Sequence, residues 1–403
     1  MRTVTHARAI RTPAGWHPQL VIAEHFPDTA RSRRAAEHDI RQAEVQLDRA
    51  EASGGDTACP RQVLRELRWR LEYTPDTSAI CQNIERLRAA CAGPTPWPAA
   101  PEDGVGCRAA AKDVWFLRVD AFVDHMLMAD FNDRDRASDL LDRINDPDRL
   151  GAYLASLLLS RLEEDGIDRR KELNFATANL TRLILWRRPV GYSWDPRLET
   201  VIRRFIADWQ DPETGFFGAD YLIGRRRLRT VDLSLTFHMA RYLEGGIRYW
   251  PQLTETLLSI RDLRYPNGWL DEAGMTNHNN YDVAVLFQLG WPHMNSDQRQ
   301  RGALELARLL DWCLGTAISP DGEIRARAVG ESLSESYYFA IAFLDTVGYF
   351  DPQNCFWTDW AFAAAADLRT RLEDRLRILP QTEPMVQMAR ERLCRAATTI
   401  RSE

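Results

Sequence analysis

The sequence predicts an all-α fold in which helical hairpins repeat along the chain, and three observations predict it. Turn dipeptides ending in glycine recur at Asp165-Gly166, Thr214-Gly215, Asn267-Gly268 and Asp321-Gly322. Their glycines lie 49, 53 and 54 residues apart (166 to 215, 215 to 268, 268 to 322), the length of one hairpin with a generous loop. Each turn leads through a polar loop into a strongly apolar helix, and β-branched residues concentrate nowhere, so no strand is expected.

The helices are of two kinds. Leu173–Trp186, Val231–Leu243, Val283–Leu289 and Tyr337–Phe350 follow the turns and are apolar nearly all round, so each must be covered on every side. Pro196–Trp209, Trp250–Leu263 and Gln298–Leu314 precede them and carry charged outer faces. Buried inner helices ringed by half-exposed outer ones describe a closed (α/α) toroid. An open superhelix of the same hairpins would leave its inner helices less completely apolar.

The N-terminal part reads differently. Residues 31–92 suggest two or three helices with charged surfaces. Arg34–Ala50 has Ile40, Val45 and Leu47 as its few large apolar positions, and Arg61–Leu71 sets Val63, Leu64, Leu67 and Leu71 on one face. The run from Gly93 to Pro101 holds four prolines and continues neither helix nor sheet. The expected organisation is an N-terminal helical cap and Pro-rich linker over 1–106 and a toroid domain over 107–403, with Asp103-Gly104 a candidate earlier turn.

With 403 residues, 45% hydrophobic and 27% charged, the chain can bury a sizeable core. A net charge of −6 gives no general attraction to nucleic acid or to anionic membrane. No stretch approaches the roughly 18 to 20 apolar residues that span a bilayer, so no integral membrane segment is expected. Met1–His25 lacks the apolar core of a secretory signal. The seven cysteines form no C-x-x-C pair, which suits reduced structural thiols and a cytoplasmic protein. Lys112 and Lys171 are the only lysines, which weakens Schiff-base chemistry. No cofactor is implied; Asp232, His278 and Asp282 could converge on a metal, but no motif asks for one.

The densest polar run is Asn277-His278-Asn279-Asn280-Tyr281-Asp282, placed after the Asn267-Gly268 turn and Trp269, at the head of an inner helix. Thr276, Asn277 or Asn279 can serve as that helix's cap, but a cap accounts for one residue and not for the whole run. Partners are sought at matching positions of other repeats. Asn174, Thr177 and Thr181 form a polar stripe; Asp232 and His238 lie on the next inner helix; Glu331, Glu335, Tyr337 and Tyr338 open the last. Bland readings stand beside these: a core histidine for His238, helix caps for Asp232, Glu331 and Glu335. Gly224-Arg225-Arg226-Arg227-Leu228-Arg229 is either a solvated basic loop or an anion-holding one, with Arg227 as a candidate contact. Aromatics near the turns, among them Trp209, Phe216, Tyr221, Trp269 and Trp291, suit sugar rings, isoprenoid chains and a large core alike.

Over roughly 107–375 the chain resembles, in architecture and loop style, the α/α-toroid enzymes: glycoside hydrolases, polysaccharide lyases, sugar epimerases, and the related barrels of triterpene cyclases and prenyltransferases. No diagnostic motif of one family is matched. The resemblance implies that loops feeding the inner helices form the active-site mouth and that the protein acts on a small molecule or oligosaccharide. A lyase acting on a uronic acid would use Asn174, Asn279 or an arginine on the carboxylate, His278 or Tyr281 as base, and Tyr281 or Tyr337 as acid. A hydrolase would draw on Asp232, Asp282, Glu331 and Glu335. The run from Phe205 to Phe217 is similar to the glutamine–tryptophan repeat of triterpene cyclases, with one extra residue and Phe217 where tryptophan is expected. Asp130-Phe131-Asn132-Asp133 is similar to their acidic motif, but Asn132 replaces a central acid and cannot supply the initiating proton. A non-catalytic helical scaffold that binds a ligand at its mouth is the third reading.

Overall fold

The computed structural model describes residues 10–13, 15–52, 140–186, 192–328, 330–381 and 383–400, together with scattered helical positions between 60 and 123. The expected linker at 93–101, the Asp103-Gly104 turn and the acidic run at 130–133 lie outside the described residues. The fold is mostly helical with one small sheet. No helix among the described residues is long and apolar enough to cross a membrane. The chain packs as two units, Met1–Trp209 with Gly218–Val231, and Gln210–Phe217 with Asp232–Glu403.

In the first unit, α1 (Pro18–His25) packs on α2 (Pro27–Ala52), and α3 (Pro147–Leu157) packs on both α5 (Arg170–Thr181) and α6 (Leu198–Trp209). The short α4 (Leu162–Asp165) lies against α1. Asp146 caps α3 by accepting the Arg149 N–H, and Pro147 begins the helix where a missing N–H costs nothing. Leu150, Leu154 and Leu157, at three- and four-residue spacing, form its buried stripe. On α2, Ala36, Ile40, Ala43 and Leu47 share a core with Leu64, Leu67 and Leu71 of the face expected for 61–71, whose Val63 lies outside the described residues; Val45 is exposed.

The expectation of no strands is corrected here. Four short strands, β1 (Ile10–Arg11), β2 (Leu159–Ser160), β3 (Asp220–Ile223) and β4 (Arg226–Arg229), form a sheet in the order β1-β4-β3-β2. β3 and β4 are an antiparallel hairpin turning at Gly224-Arg225, and the two outer strands add in parallel. The sequence signal was a two-residue glycine loop flanked by four-residue arms, a pattern that arginine richness disguised. Asp220 sits opposite Arg229 and diagonal to Arg227, so alternate residues of β4 turn two guanidiniums onto one carboxylate.

In the second unit the apolar helices follow one another. α7 (Leu233–Tyr242) packs on α9 (Asn277–Gly290), α9 on α11 (Leu333–Thr346), and α11 on α13 (Pro384–Ile400). A second row contains α8 (Trp250–Ser259), α10 (Ser296–Trp312) and α12 (Ala365–Ile378): α8 and α10 pack on α9 and on each other, and α12 packs on α13. The alternation read from the sequence is thus a two-layer arrangement of hairpins. Residues 210–217 are its first turn. Gln210 accepts the Arg248 N–H at 2.9 Å and donates to the Gly215 carbonyl at 2.8 Å. Phe217 donates its N–H to Thr236 Oγ1 (3.1 Å) and accepts the Asp232 N–H (3.2 Å). The glutamine of the cyclase-like stretch therefore has a structural task, holding the approach to α8.

Candidate functional site

The polar run opens α9. Thr276 is the cap: its backbone is extended and its hydroxyl accepts the Asn279 N–H at 3.3 Å. With the cap assigned to Thr276, the six following residues divide by helix face. Asn277, Asn280 and Tyr281 are spaced i, i+3, i+4 and share one face. Asn279 turns elsewhere and donates its amide to the Trp269 carbonyl at 2.9 Å, pinning the preceding loop. Trp269 is itself 1% exposed with the Arg308 guanidinium over its ring, so it is a core residue and offers no open face to a sugar.

On the shared face the hydrogen bonding is incomplete. Asn277 and Asn280 are 3% and 1% exposed, and in each neither the amide nitrogen nor the amide oxygen has a partner. Buried polar atoms are ordinarily satisfied, because leaving one unsatisfied costs about 1–3 kcal/mol. Four such atoms within one helical turn mark a place where a ligand or ordered water completes the bonding. Asp282, on another side of the helix, has one more such atom, its Oδ1.

Tyr281 completes the face that Asn277 and Asn280 share. Its hydroxyl accepts a bond from Arg392 Nη2 of α13 at 3.0 Å. Its ring stands edge-on to Phe237 of α7 and Tyr338 of α11. The Arg241 guanidinium lies 5.8 Å from the ring centre and that of Arg392 5.4 Å. Burial pushes the phenol up to about 12, against the pull of the two arginines, so it is a proton donor at neutral pH. Asp282 is also pushed well above the carboxylate range by burial, with Arg241 opposing and Asp232 adding to the shift. His278 stacks on Phe339 with ring centres 4.0 Å apart, and Phe339 also approaches Tyr281 at 6.2 Å, so histidine and tyrosine flank the same ring.

The remaining candidates are placed as follows. Asp232 caps α7, accepting the Leu235 N–H at 3.0 Å. Glu335 forms a capping box with Ser332 at the head of α11. His238 stacks on Tyr242 and neighbours Phe237; Tyr337 is buried. Asn174 is buried on α5 and Arg227 is bound to Asp220, both within the first unit. Reasoning from sequence missed Arg241 and Arg392. Arg241 left a trace, as a full positive charge on an otherwise apolar helix; Arg392 sits in an ordinary charged stretch and left none.

Glu331, just before α11, carries a separate expectation. Ser336 Oγ donates to it at 2.7 Å and the Ala328 N–H at 3.2 Å, while its other oxygen has no partner. Burial pushes its carboxyl up from 4.5 to about 7. A folded pKa above the unfolded one means that the stability this group contributes is complete below pH 4.5 and lost as pH rises through 7. Glu331→Gln keeps both acceptor contacts and removes the charge. It should stabilise the protein by about 2–3 kcal/mol at pH 8 and hardly at all near pH 4.5. Thermal melts at the two pH values check this, and an equal gain at both would refute it.

No metal-binding group of three or more histidine, cysteine or acidic residues occurs among the described residues. Compared with protein-family models, with curated proteins and with solved structures, the chain matches none of them.

Proposed function

We propose that the second unit is a carbohydrate-active enzyme whose site lies at the head of α9, and that its reaction is β-elimination from a uronic-acid-containing oligosaccharide. The observation that carries this reading is the shared face of Asn277, Asn280 and Tyr281, with its unpartnered buried amide atoms beside a phenol gripped by Arg392. Carboxamides can donate and accept at once, which suits the hydroxyls of a sugar. In the reaction, a base removes the proton on the carbon bearing the carboxylate. The electron pair forms a carbon–carbon double bond, the glycosidic C–O bond breaks, and the leaving oxygen takes a proton. His278 is the base and Tyr281, protonated at neutral pH, the acid. The two rows of helices are read as an arc of an α/α toroid, with this site at its mouth, in a cytoplasmic protein acting on small oligosaccharides.

Of the four carboxylates a hydrolase would draw on, Asp232 and Glu335 cap their helices, while Asp282 and Glu331 each keep an oxygen without a partner. Elimination is preferred on the phenol and the carboxamides of the shared face, which a glycosidase's two flanking carboxyl groups do not call for. The full chain incubated with a panel of oligouronides should generate the ultraviolet absorbance of an unsaturated uronide. Tyr281→Phe should lower kcat about a thousandfold, while costing the fold no more than the lost Arg392 bond, about 1–3 kcal/mol. Silence across the panel, or full turnover by the phenylalanine variant, would overturn the proposal.

A further inference from the structure

Two arginines lace the apolar row of the second unit together across their neighbours. Arg392 of α13 reaches past α11 to donate to the Tyr281 hydroxyl of α9 at 3.0 Å, and Arg241 of α7 reaches past α9 to the Tyr338 hydroxyl of α11. Arg392 is itself held: its other terminal nitrogen lies 2.8 Å from Asp345, near the end of α11. A guanidinium has hydrogens to give and no lone pair to offer. The Tyr281 oxygen therefore turns a lone pair towards Arg392, and its own hydrogen points elsewhere. Among the described residues no acceptor takes that hydrogen, although the residue is only 2% exposed. Buried polar groups are ordinarily bonded. The same helix face carries Asn277 and Asn280, whose amide atoms are equally unclaimed.

We propose that Arg392 is the positioning residue of this site: anchored by Asp345, it makes the Tyr281 hydroxyl a one-way donor, so that the ligand atom meeting the phenol is an acceptor. In the reaction proposed above that atom is the leaving glycosidic oxygen. When the proton crosses to it, the charge left on the phenol faces a guanidinium across an existing bond, which becomes stronger for being charge-assisted on both sides. Arg392 thus acts through Tyr281. The inference rests on the site proposed above, but it concerns the direction and acidity of one hydroxyl and does not require that elimination follow.

Titration of the phenol tests it without a substrate. In a full chain carrying 3-fluorotyrosine, fluorine strengthens each phenol as an acid and reports its ionisation by NMR; the Tyr281 signal is the one missing from Tyr281→Phe. Arg392→Met should lower the acid constant of Tyr281 at least about tenfold, the worth of a charge-assisted bond, and Arg392→Lys should restore part of the loss. The other charged or titratable groups around this phenol are Arg241 of α7, Tyr338 of α11 and Asp282 of α9, with Asp232 acting in turn on Asp282 and His278 lying across the Phe339 ring. All of them remain in both variants, so the difference belongs to Arg392. An unchanged acid constant in a folded Arg392→Met chain, or a lysine variant no better than methionine, would overturn the proposal. Should the methionine variant fail to fold, the wild-type chain decides. One arginine side-chain nitrogen signal should move in step with the Tyr281 fluorine, and none moving refutes the assignment. With an oligouronide, Arg392→Met should lower kcat at least about tenfold and leave KM nearly unchanged. A shifted acid constant with no elimination product across the panel sinks the lyase reading and leaves this one standing. Elimination with an unshifted acid constant does the reverse.

Discussion

Gly215→Ala is expected to destabilise the protein by about 3–5 kcal/mol, and the same change at Gly224 by about 1 kcal/mol. Both glycines have a positive φ, 72° at Gly215 and 56° at Gly224, so alanine meets the left-handed penalty at either position. They differ in the space around them. A Cβ on Gly215 would run into the Tyr249 carbonyl and the backbone nitrogen of Leu253, the first turn of α8, and backbone cannot step aside as the tip of a side chain can. Around Gly224 nothing lies within 4 Å. Urea unfolding of the two variants in parallel checks the contrast. Equal losses would mean that backbone conformation alone matters and that the close approach to α8 is not as described.

Asp220→Ala should cost about 3–5 kcal/mol, through a different cause. Asp220 is 1% exposed; Arg227 Nε donates to one of its oxygens and Arg229 Nε to the other, each at 2.7 Å. Removing the carboxylate takes from two guanidiniums, about a quarter exposed (27% and 23%), the anion that they share. Partial exposure lets water reach them, which favours the lower end of the range. Replacing all three residues by apolar ones of similar volume should recover most of the loss, because an ion cluster of this kind is weak as a net stabiliser and strong only against being half dismantled. Thermal melts of the single and triple variants separate the two effects; a triple variant as unstable as Asp220→Ala would show that the ions themselves, not their mutual compensation, hold the hairpin.

These contrasts show what could be read from the sequence. The helices of the second unit were legible because their apolar pattern is local: α7, α9 and α11 begin close to the polar loops that announce them. The β3–β4 hairpin was not, because its arms are four residues long and its arginines dominate the composition; only the pairing of Arg227 and Arg229 with Asp220 makes strand geometry the economical choice. The site divides in the same way. The run from Asn277 to Asp282 stood out by density, and the i, i+3, i+4 spacing of Asn277, Asn280 and Tyr281 was in plain view. What singles out that face is contact from afar: Arg392, 111 residues away, meets the hydroxyl of Tyr281, and the Trp269 carbonyl removes Asn279 from consideration. Hydrogen bonds across such separations leave no periodic trace in a chain.

The short segment 210–217 has a consequence for how this protein can be divided or inherited. The chain changes unit at 209/210, at 217/218 and at 231/232. A gene fragment starting at Asp232 would encode α7 to α13 yet lack Gln210, which secures the Arg248 N–H, and Phe217, whose carbonyl receives the Asp232 N–H. A fragment ending at Trp209 would lack the β3–β4 hairpin of the first. Neither unit can be excised by one cut without losing a piece of itself. A single breakpoint therefore cuts across one unit wherever it falls between the two.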